Sequence, residues 1–234
     1  MKAISTLLLS ATLLASATNA VAKQNRVSSD VGDRLRQAGQ TFREIMDTPD
    51  KGIPQELLDS SQCIAIIPGM KKGAFIFGAV YGKGFLTCRN KNGVGWTAPG
   101  AVTVEGGSFG LQFGGEETDV IMLVMNKGAE DRLLSNQFTL GVDGSVAAGP
   151  VGRTATAQTD AYLTAEILSY SRSRGVFAGI SLKGSTLRQD KDADYEIYGK
   201  EVSNKQIIEG GTKVTSAVRP LVSVLDKYSA RKTS

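Results

Sequence analysis

Between Cys63 and about Leu187 the apolar residues of this 234-residue chain recur with a period of two, and glycines interrupt the runs. Phe75, Phe77, Ala79 and Tyr81 alternate with Ile76, Gly78, Val80 and Gly82, and Phe109, Leu111 and Phe113 alternate with Gly110, Gln112 and Gly114. Successive side chains on a strand point to opposite faces, so this alternation predicts strands. Glycine normally weakens a sheet, yet Gly78, Gly82, Gly110, Gly114, Gly141 and Gly179 all fall inside the runs. Such positions serve where a strand bends, bulges or lets another backbone approach, which points to a strongly curved or partly closed sheet. Residues 120–125 are apolar at every position and predict a central strand covered on both faces. Further strands are expected at 138–142, 165–171 and 176–182, with turns at 90–93 and 127–128 and one helical turn at 130–134.

Helical periodicity frames this region. Val31, Leu35, Ala38, Phe42, Ile45 and Met46 fall at steps of three and four, predicting a helix over 28–47 that Ser28, Ser29 or Asp30 can cap. Pro54 suits the first turn of a short helix carrying Leu57 and Leu58. Residues 204–208 predict another helix. Val214, Ala217, Val218, Leu221, Leu225 and Tyr228 share one face of a last one, in which Pro220 kinks the helix or shifts its start. The expected fold class is α+β: a curved, mainly antiparallel, Gly-rich sheet or partly closed barrel with N- and C-terminal helices packed on it.

Residues 1–22 read as a signal peptide, with Lys2, an apolar stretch over 7–15 and an A-x-A site at Ala20-Val21-Ala22. The expectation is an exported protein, periplasmic or envelope-associated and soluble after cleavage. It would comprise one domain over 23–229 and a basic tail over 230–234. The apolar stretch is too short to span a bilayer. An outer-membrane barrel is disfavoured because aromatics make up only 6% of the chain and helices flank the strands. Removing Lys2 leaves 26 basic against 23 acidic residues, from 27 and 23, an excess of +3 that is no nucleic-acid-binding stripe.

The chain has no histidine, which excludes Ser-His-Asp and Cys-His nucleophiles and His-ligated zinc. Gly106-Gly107-Ser108-Phe109-Gly110 matches G-x-S-x-G but lacks the His partner that a nucleophile elbow needs. The run 78–84 resembles a phosphate loop with one residue too few and Gly84 in place of the metal-binding hydroxyl, so it reads as a strand. Asp190, Asp192, Asp194 and Glu201 have calcium-loop spacing, but Tyr195 stands where the turn needs glycine, and a solvated acidic turn is expected instead. Glu116-Glu117-Thr118-Asp119 is expected to be a charged hairpin turn rather than an acid–base pair. No catalytic, cofactor or metal-ligating residues are assigned. Cys63 and Cys88 form a disulfide in an oxidising compartment, or Cys63 is a buried small hydrophobe; the sequence leaves both readings open.

Six blocks in order carry a resemblance: Cys63-Ile64-Ala65-Ile66-Ile67-Pro68, Phe75-Ile76-Phe77-Gly78, Gly106 to Gln112, Gly149-Pro150-Val151-Gly152-Arg153, Ser169 to Gly175, and Phe177-Ala178-Gly179. Over roughly residues 30–200 the chain resembles the SYLF lipid-binding family. That family also occurs in yeast actin-patch and plant FYVE-type proteins, and its bacterial members often carry signal peptides. The resemblance implies a lipid-binding module without catalytic activity. The phosphoinositide and actin associations of eukaryotic relatives are not expected to transfer to an exported protein.

The residues themselves offer two cationic candidates for an anionic phospholipid surface. The amphipathic helix 28–47 is edged by Arg34, Arg36 and Arg43, and Lys71 and Lys72 follow the Pro68-Gly69 turn. A core helix laying that same apolar face on the sheet is the commoner arrangement, and turn lysines commonly only solubilise. The expected function is non-enzymatic binding to anionic membrane surfaces. The alternative is an interaction module that binds an envelope protein and touches lipid incidentally; no nucleic-acid partner is expected.

Overall fold

The structure is a computed structural model that describes residues 27–48, 52–74, 78–108, 116–135, 137–151, 164–173, 176–180 and 182–229. Helix α1 (Ser29–Met46) starts at Ser28, whose side chain accepts from the Val31 N–H and so satisfies one orphan donor of the first turn. Val31, Leu35, Ala38, Phe42 and Ile45 are the face it buries. Helix α2 (Gln55–Ser60) follows Pro54.

Among the described residues nine strands then form one sheet: β1 (Cys63–Ala74), β2 (Gly78–Cys88), β3 (Gly100–Ser108), β4 (Glu116–Val124), β5 (Gln137–Thr139), β6 (Val146–Ala148), β7 (Ile167–Ser173), β8 (Val176–Gly179) and β9 (Thr186–Gln189). Helix α3 (Lys127–Leu133) lies between β4 and β5; α4 (Lys191–Tyr198), α5 (Asn204–Ile208) and α6 (Arg219–Ser229) end the chain. The strand order is β5-β9-β3-β2-β1-β4-β7-β6, with β8 also on β7. Every pairing is antiparallel except β6 with β7. The fold is α+β, a curled half-barrel with helices from both ends of the chain.

The curl follows from connectivity and from glycine. β5 and β6 stand at opposite ends of the strand order, yet only residues 140–145 separate them. A span that short reaches at most about 25 Å, so the two margins of the sheet must turn toward each other. Within the sheet, a Cβ on Gly84 would stand 2.0 Å from the Ile66 carbonyl oxygen and one on Gly82 2.6 Å from Ile67 Cγ2. That close approach sits where the β1–β2 register shifts between Ile66 and Lys71, the bulge that bends the pair. Gly110 and Gly114, expected to act alike, lie outside the described residues, as do Phe75, Phe77 and the whole of residues 1–26.

Two cores use the two faces of the sheet. On the outer face α1 and α6 cover Ile64, Ile66, Phe85, Ile121, Leu123 and Tyr170. Inside the curl, Ala65, Ile67, Met70, Leu86, Val104, Val120, Met122 and Phe138 pack together with α3 and α5 residues Leu133, Ile207 and Ile208.

Several expectations change. β3 is not among the expected strands: Val102-Thr103-Val104-Glu105 alternates, but Ala101 and Val102 are both buried and Gly106-Gly107 cuts the pattern short. Residues 116–119 are not a turn but the start of β4; this end of the strand tolerates charge because Glu117 is exposed and Asp119 is ion-paired. The last helix begins only at Arg219, with Pro220 in its first turn, while Val214 and Ala217 precede it. The acidic run near residue 190 is only partly solvated and opens a helix: Asp192 and Glu201 are exposed, but Asp190 caps α4, and buried Asp194 accepts from the Ala101 N–H at 2.7 Å and from Gln189 Nε2 at 2.7 Å.

Candidate functional site

The apolar face of α1 is committed to the core, so whatever α1 presents outward is its polar edge. The three arginines on that edge differ. Arg34 is only 11% exposed and is held by Asp30 and by Asp190, whose Oδ2 lies 3.7 Å from Nη1 and 2.8 Å from Lys83 Nζ. The hydrogen bond to Asp190 holds the Lys83 ammonium above its ordinary range. Asp190, at the start of α4, therefore ties α1 to β2 through Arg34 and Lys83. Arg36 is 68% exposed and paired with Asp33, and Arg43 is exposed.

At the outer end of β1, Lys71 is 74% exposed with the Glu117 carboxylate 3.9 Å away, and Lys72 is half-buried. Tyr81, the register partner of Lys71 on β2, is one of the few exposed large hydrophobics. A chain of polar contacts links this corner to the end of α1. Glu44, next to Arg43, pairs with Arg172 of β7; Arg172 also donates to Asp119 of β4 at 2.8 Å; and Asp119 accepts from the Gly69 N–H at 3.0 Å. Hydrogen bonds from Gln40 and then Arg172 hold the Glu44 carboxyl below its usual range. The stitch thus ties the end of α1 that carries Arg43 to the Gly69 turn just before Lys71, whereas Arg34 belongs to a different, inward cluster. Sequence reading missed Tyr81 as a partner of Lys71, since only the strand register brings them together.

A polar cleft of about 1250 Å³ opens elsewhere, lined by the 89–93 turn, Trp96, α3 residues Lys127 and Glu130, and the Gly210-Gly211 turn. One wall is rigidly built. Arg89 is buried and donates to the carbonyls of Leu58, Ser61 and Ser229, closing the C-terminal ends of α2 and α6, while its guanidinium lies 4.0 Å above the Trp96 ring. Trp96 Nε1 in turn donates to Ser229 Oγ at 2.7 Å. Immediately before Arg89, Cys88 is disulfide-bonded to its register partner Cys63, the pairing that the sequence left open.

Two of the motif blocks meet in the fold. The Gly149 N–H donates to the Ser169 carbonyl at 2.9 Å, and the Gly149 backbone lies against the Tyr170 ring. The block containing Gly149 and Pro150 and the block containing Ser169 and Tyr170 therefore form one packing unit rather than two sites.

Residues 105–228, more than half of the chain, match the family model described as Ysc84, Las17-binding protein actin regulator. Among similar proteins, the chain is 35% identical over 181 residues to Protein YSC84 of Saccharomyces cerevisiae, covering 76% of this chain and 38% of that protein. It is 32% identical over 210 residues to an SH3 domain-containing protein of Schizosaccharomyces pombe, covering 86% and 48%. It is 30% identical over 213 residues to the human SH3 domain-containing YSC84-like protein 1, covering 88% and 62%. The chain spans 38% to 62% of the length of these relatives. Two of these names carry an SH3 domain, and the family description carries binding and actin regulation. Motif blocks, a curled Gly-rich sheet and these matches agree: the chain belongs to the Ysc84 family, the SYLF family that its sequence resembles.

Proposed function

We propose that this protein is an exported, non-enzymatic module that binds anionic phospholipid surfaces through exposed cations. The observation that carries the reading is the corner where Lys71 and Tyr81 sit side by side on β1 and β2, with Tyr81 48% exposed. An amphipathic ring beside a cation suits the headgroup level, where the ring takes the boundary and the ammonium meets phosphate. Arg43, tied in through the Glu44–Arg172–Asp119 stitch, and Arg36 carry the charge along α1, while Lys72, the next residue of β1, offers its charge from the opposite face of the same strand end.

Vesicle flotation tests the reading. The protein should float with anionic and not with zwitterionic vesicles. Replacing Arg36, Arg43, Lys71 and Lys72 with Gln should weaken binding at ~1 kcal/mol each, and salt near 1 M should do the same because screening then reaches about 3 Å. Anionic binding that ignores both salt and these substitutions would overturn it.

A second reading has its own support. The family description, Las17-binding protein actin regulator, names a protein partner. A chain that binds a protein through the Arg89–Lys127 cleft would keep that binding when the four cations are replaced.

A further inference from the structure

The polar cleft abuts a buried cluster with the donor set of a metal site. Gln62 and Arg89, which line the cleft, are the neighbours of Cys63 and Cys88, and Glu130 of α3 lines it too. Cys63 and Cys88 are 0% and 1% exposed and Glu130 is 6% exposed. A carboxylate oxygen of Glu130 and the two sulfurs all lie within 4.8 Å of one another. While the disulfide is closed, nothing in its chemistry calls for a carboxylate at its side, because bridged sulfurs carry no charge and offer no donor. Glu130 is instead partnered by Lys127, whose Nζ is 2.7 Å from Oε1 and whose side chain is 62% exposed.

We propose that, once the Cys63–Cys88 bond is reduced, Cys63, Cys88 and Glu130 bind one zinc ion, and that re-forming the disulfide expels it. Two thiolates and one carboxylate suit zinc, and a four-coordinate ion would keep its last position for a water from the cleft. Zn–S bonds of about 2.3 Å at tetrahedral angles need sulfurs roughly 3.8 Å apart. The register of β1 and β2 already places both side chains on the same face of adjacent strands, so rotation about χ1 supplies that separation without moving the backbone pairing. Glu130 is held at the site by α3, whose first turn is capped by the Asn126 side chain accepting from the Ala129 N–H at 2.8 Å.

The exchange balances. An external dithiol gives two electrons and two protons to the S–S bond and becomes a disulfide itself, leaving Cys63 and Cys88 as thiols. Zinc binding releases the two thiol protons to solvent. In the reverse direction a disulfide oxidant removes two electrons from the pair, the sulfurs join, and the ion leaves as Zn²⁺. The two states exclude each other because both use the same sulfur electron pairs.

The test uses the full chain, reduced with a phosphine, freed of reductant under inert gas and titrated with Co²⁺ and then Zn²⁺. One Co²⁺ per chain, with thiolate-to-metal charge-transfer absorption and tetrahedral visible bands that Zn²⁺ bleaches, is the expected result, and the oxidised chain should give neither. Glu130→Gln should keep the thiols and lower affinity roughly tenfold or more. Circular dichroism follows the fold: Zn²⁺ should raise the melting temperature of the reduced chain, or refold it if reduction unfolds it, and leave the oxidised chain unchanged. The proposal falls if reduced and oxidised chains bind alike, if the Co²⁺ spectrum lacks the charge-transfer band, if Glu130→Gln binds as tightly as the parent, or if a reduced, unfolded chain is not restored by metal.

Discussion

Gly149 lies so close to Tyr170 that a Cβ on it would stand 2.1 Å from the ring's Cζ, with the hydroxyl oxygen only slightly farther, at 2.5 Å. Because Tyr170 is among the largest fully buried side chains, the ring has nowhere to retreat. Gly149→Ala should therefore destabilise by about 1–3 kcal/mol, the usual cost of overpacking. A lowered denaturant midpoint at constant slope would report it, and an unchanged midpoint would mean that the ring moves freely.

Arg89 closes two helix ends at once. Arg89→Leu leaves the Leu58, Ser61 and Ser229 carbonyls without this donor and should cost about 2–4 kcal/mol. Arg89→Lys should recover only part of that, since one ammonium cannot reproduce a planar fork reaching two helices. Thermal melts of the two variants give the comparison, with equal losses speaking against the fork.

Cys63 and Cys88 close a loop of 25 residues. In the chain-entropy account, replacing both with Ala should cost about 3.5 kcal/mol. Chemical denaturation of the double variant against the oxidised parent measures it. A negligible loss would show that the β1–β2 pairing already restricts the unfolded chain.

Burial, against the opposing hydrogen bonds from Ala101 and Gln189, pushes the Asp194 carboxyl up to about 7. The folded state then holds this proton more tightly than the unfolded chain does. The sign follows directly: this contribution to stability is fully present below about pH 4 and is lost as pH rises toward 7, by an amount on the order of 4 kcal/mol. Asp194→Asn should flatten that slope at a constant penalty, because its amide nitrogen would face the Gln189 donor. Unfolding free energies across pH 4–8 for parent and variant decide it, and identical slopes would count against the assignment.

Arg34 separates the fold from the surface. Arg34→Gln removes the tie to Asp190 and leaves that buried carboxylate with Lys83 as its one cation among the described residues, so the melting temperature should fall while anionic-vesicle binding of the folded protein stays near the parent's. Lys71→Gln should do the reverse. A loss of vesicle affinity in Arg34→Gln without loss of stability would place Arg34 on the binding surface.

Much of the architecture was legible in local patterns. The three- and four-residue spacing from Val31 to Ile45 marked α1 and its buried face, and the unbroken apolar run from Val120 marked a central strand, because each signal depends only on residues near in sequence. β3 escaped because Ala101 and Val102 are buried on opposite faces, and the disulfide stayed open because register pairs Cys63 with Cys88 only once β1 and β2 are aligned. The candidate surface was half legible. Basic residues beside an amphipathic helix were visible, but the inward turn of Arg34 toward Asp190, 156 positions away in the chain, and the meeting of Lys71 with Tyr81 are products of the folded topology.

The short link between β5 and β6 works as a clasp. Its turn is pinned by the Gly141 N–H donating to the Gly144 carbonyl at 2.7 Å and the Thr139 N–H donating to Asp143 Oδ2 at 2.6 Å, with Val142 78% exposed at its crest. One segment thereby covers a margin of β9 on one side and of β7 on the other. Cleavage at Val142 would uncouple the two margins in a single event, and a strand that then frayed would present unpaired backbone donors and acceptors to other chains, the template on which strands of separate molecules associate. The closure of two sheet margins thus hangs on the integrity of a six-residue turn at the protein's surface.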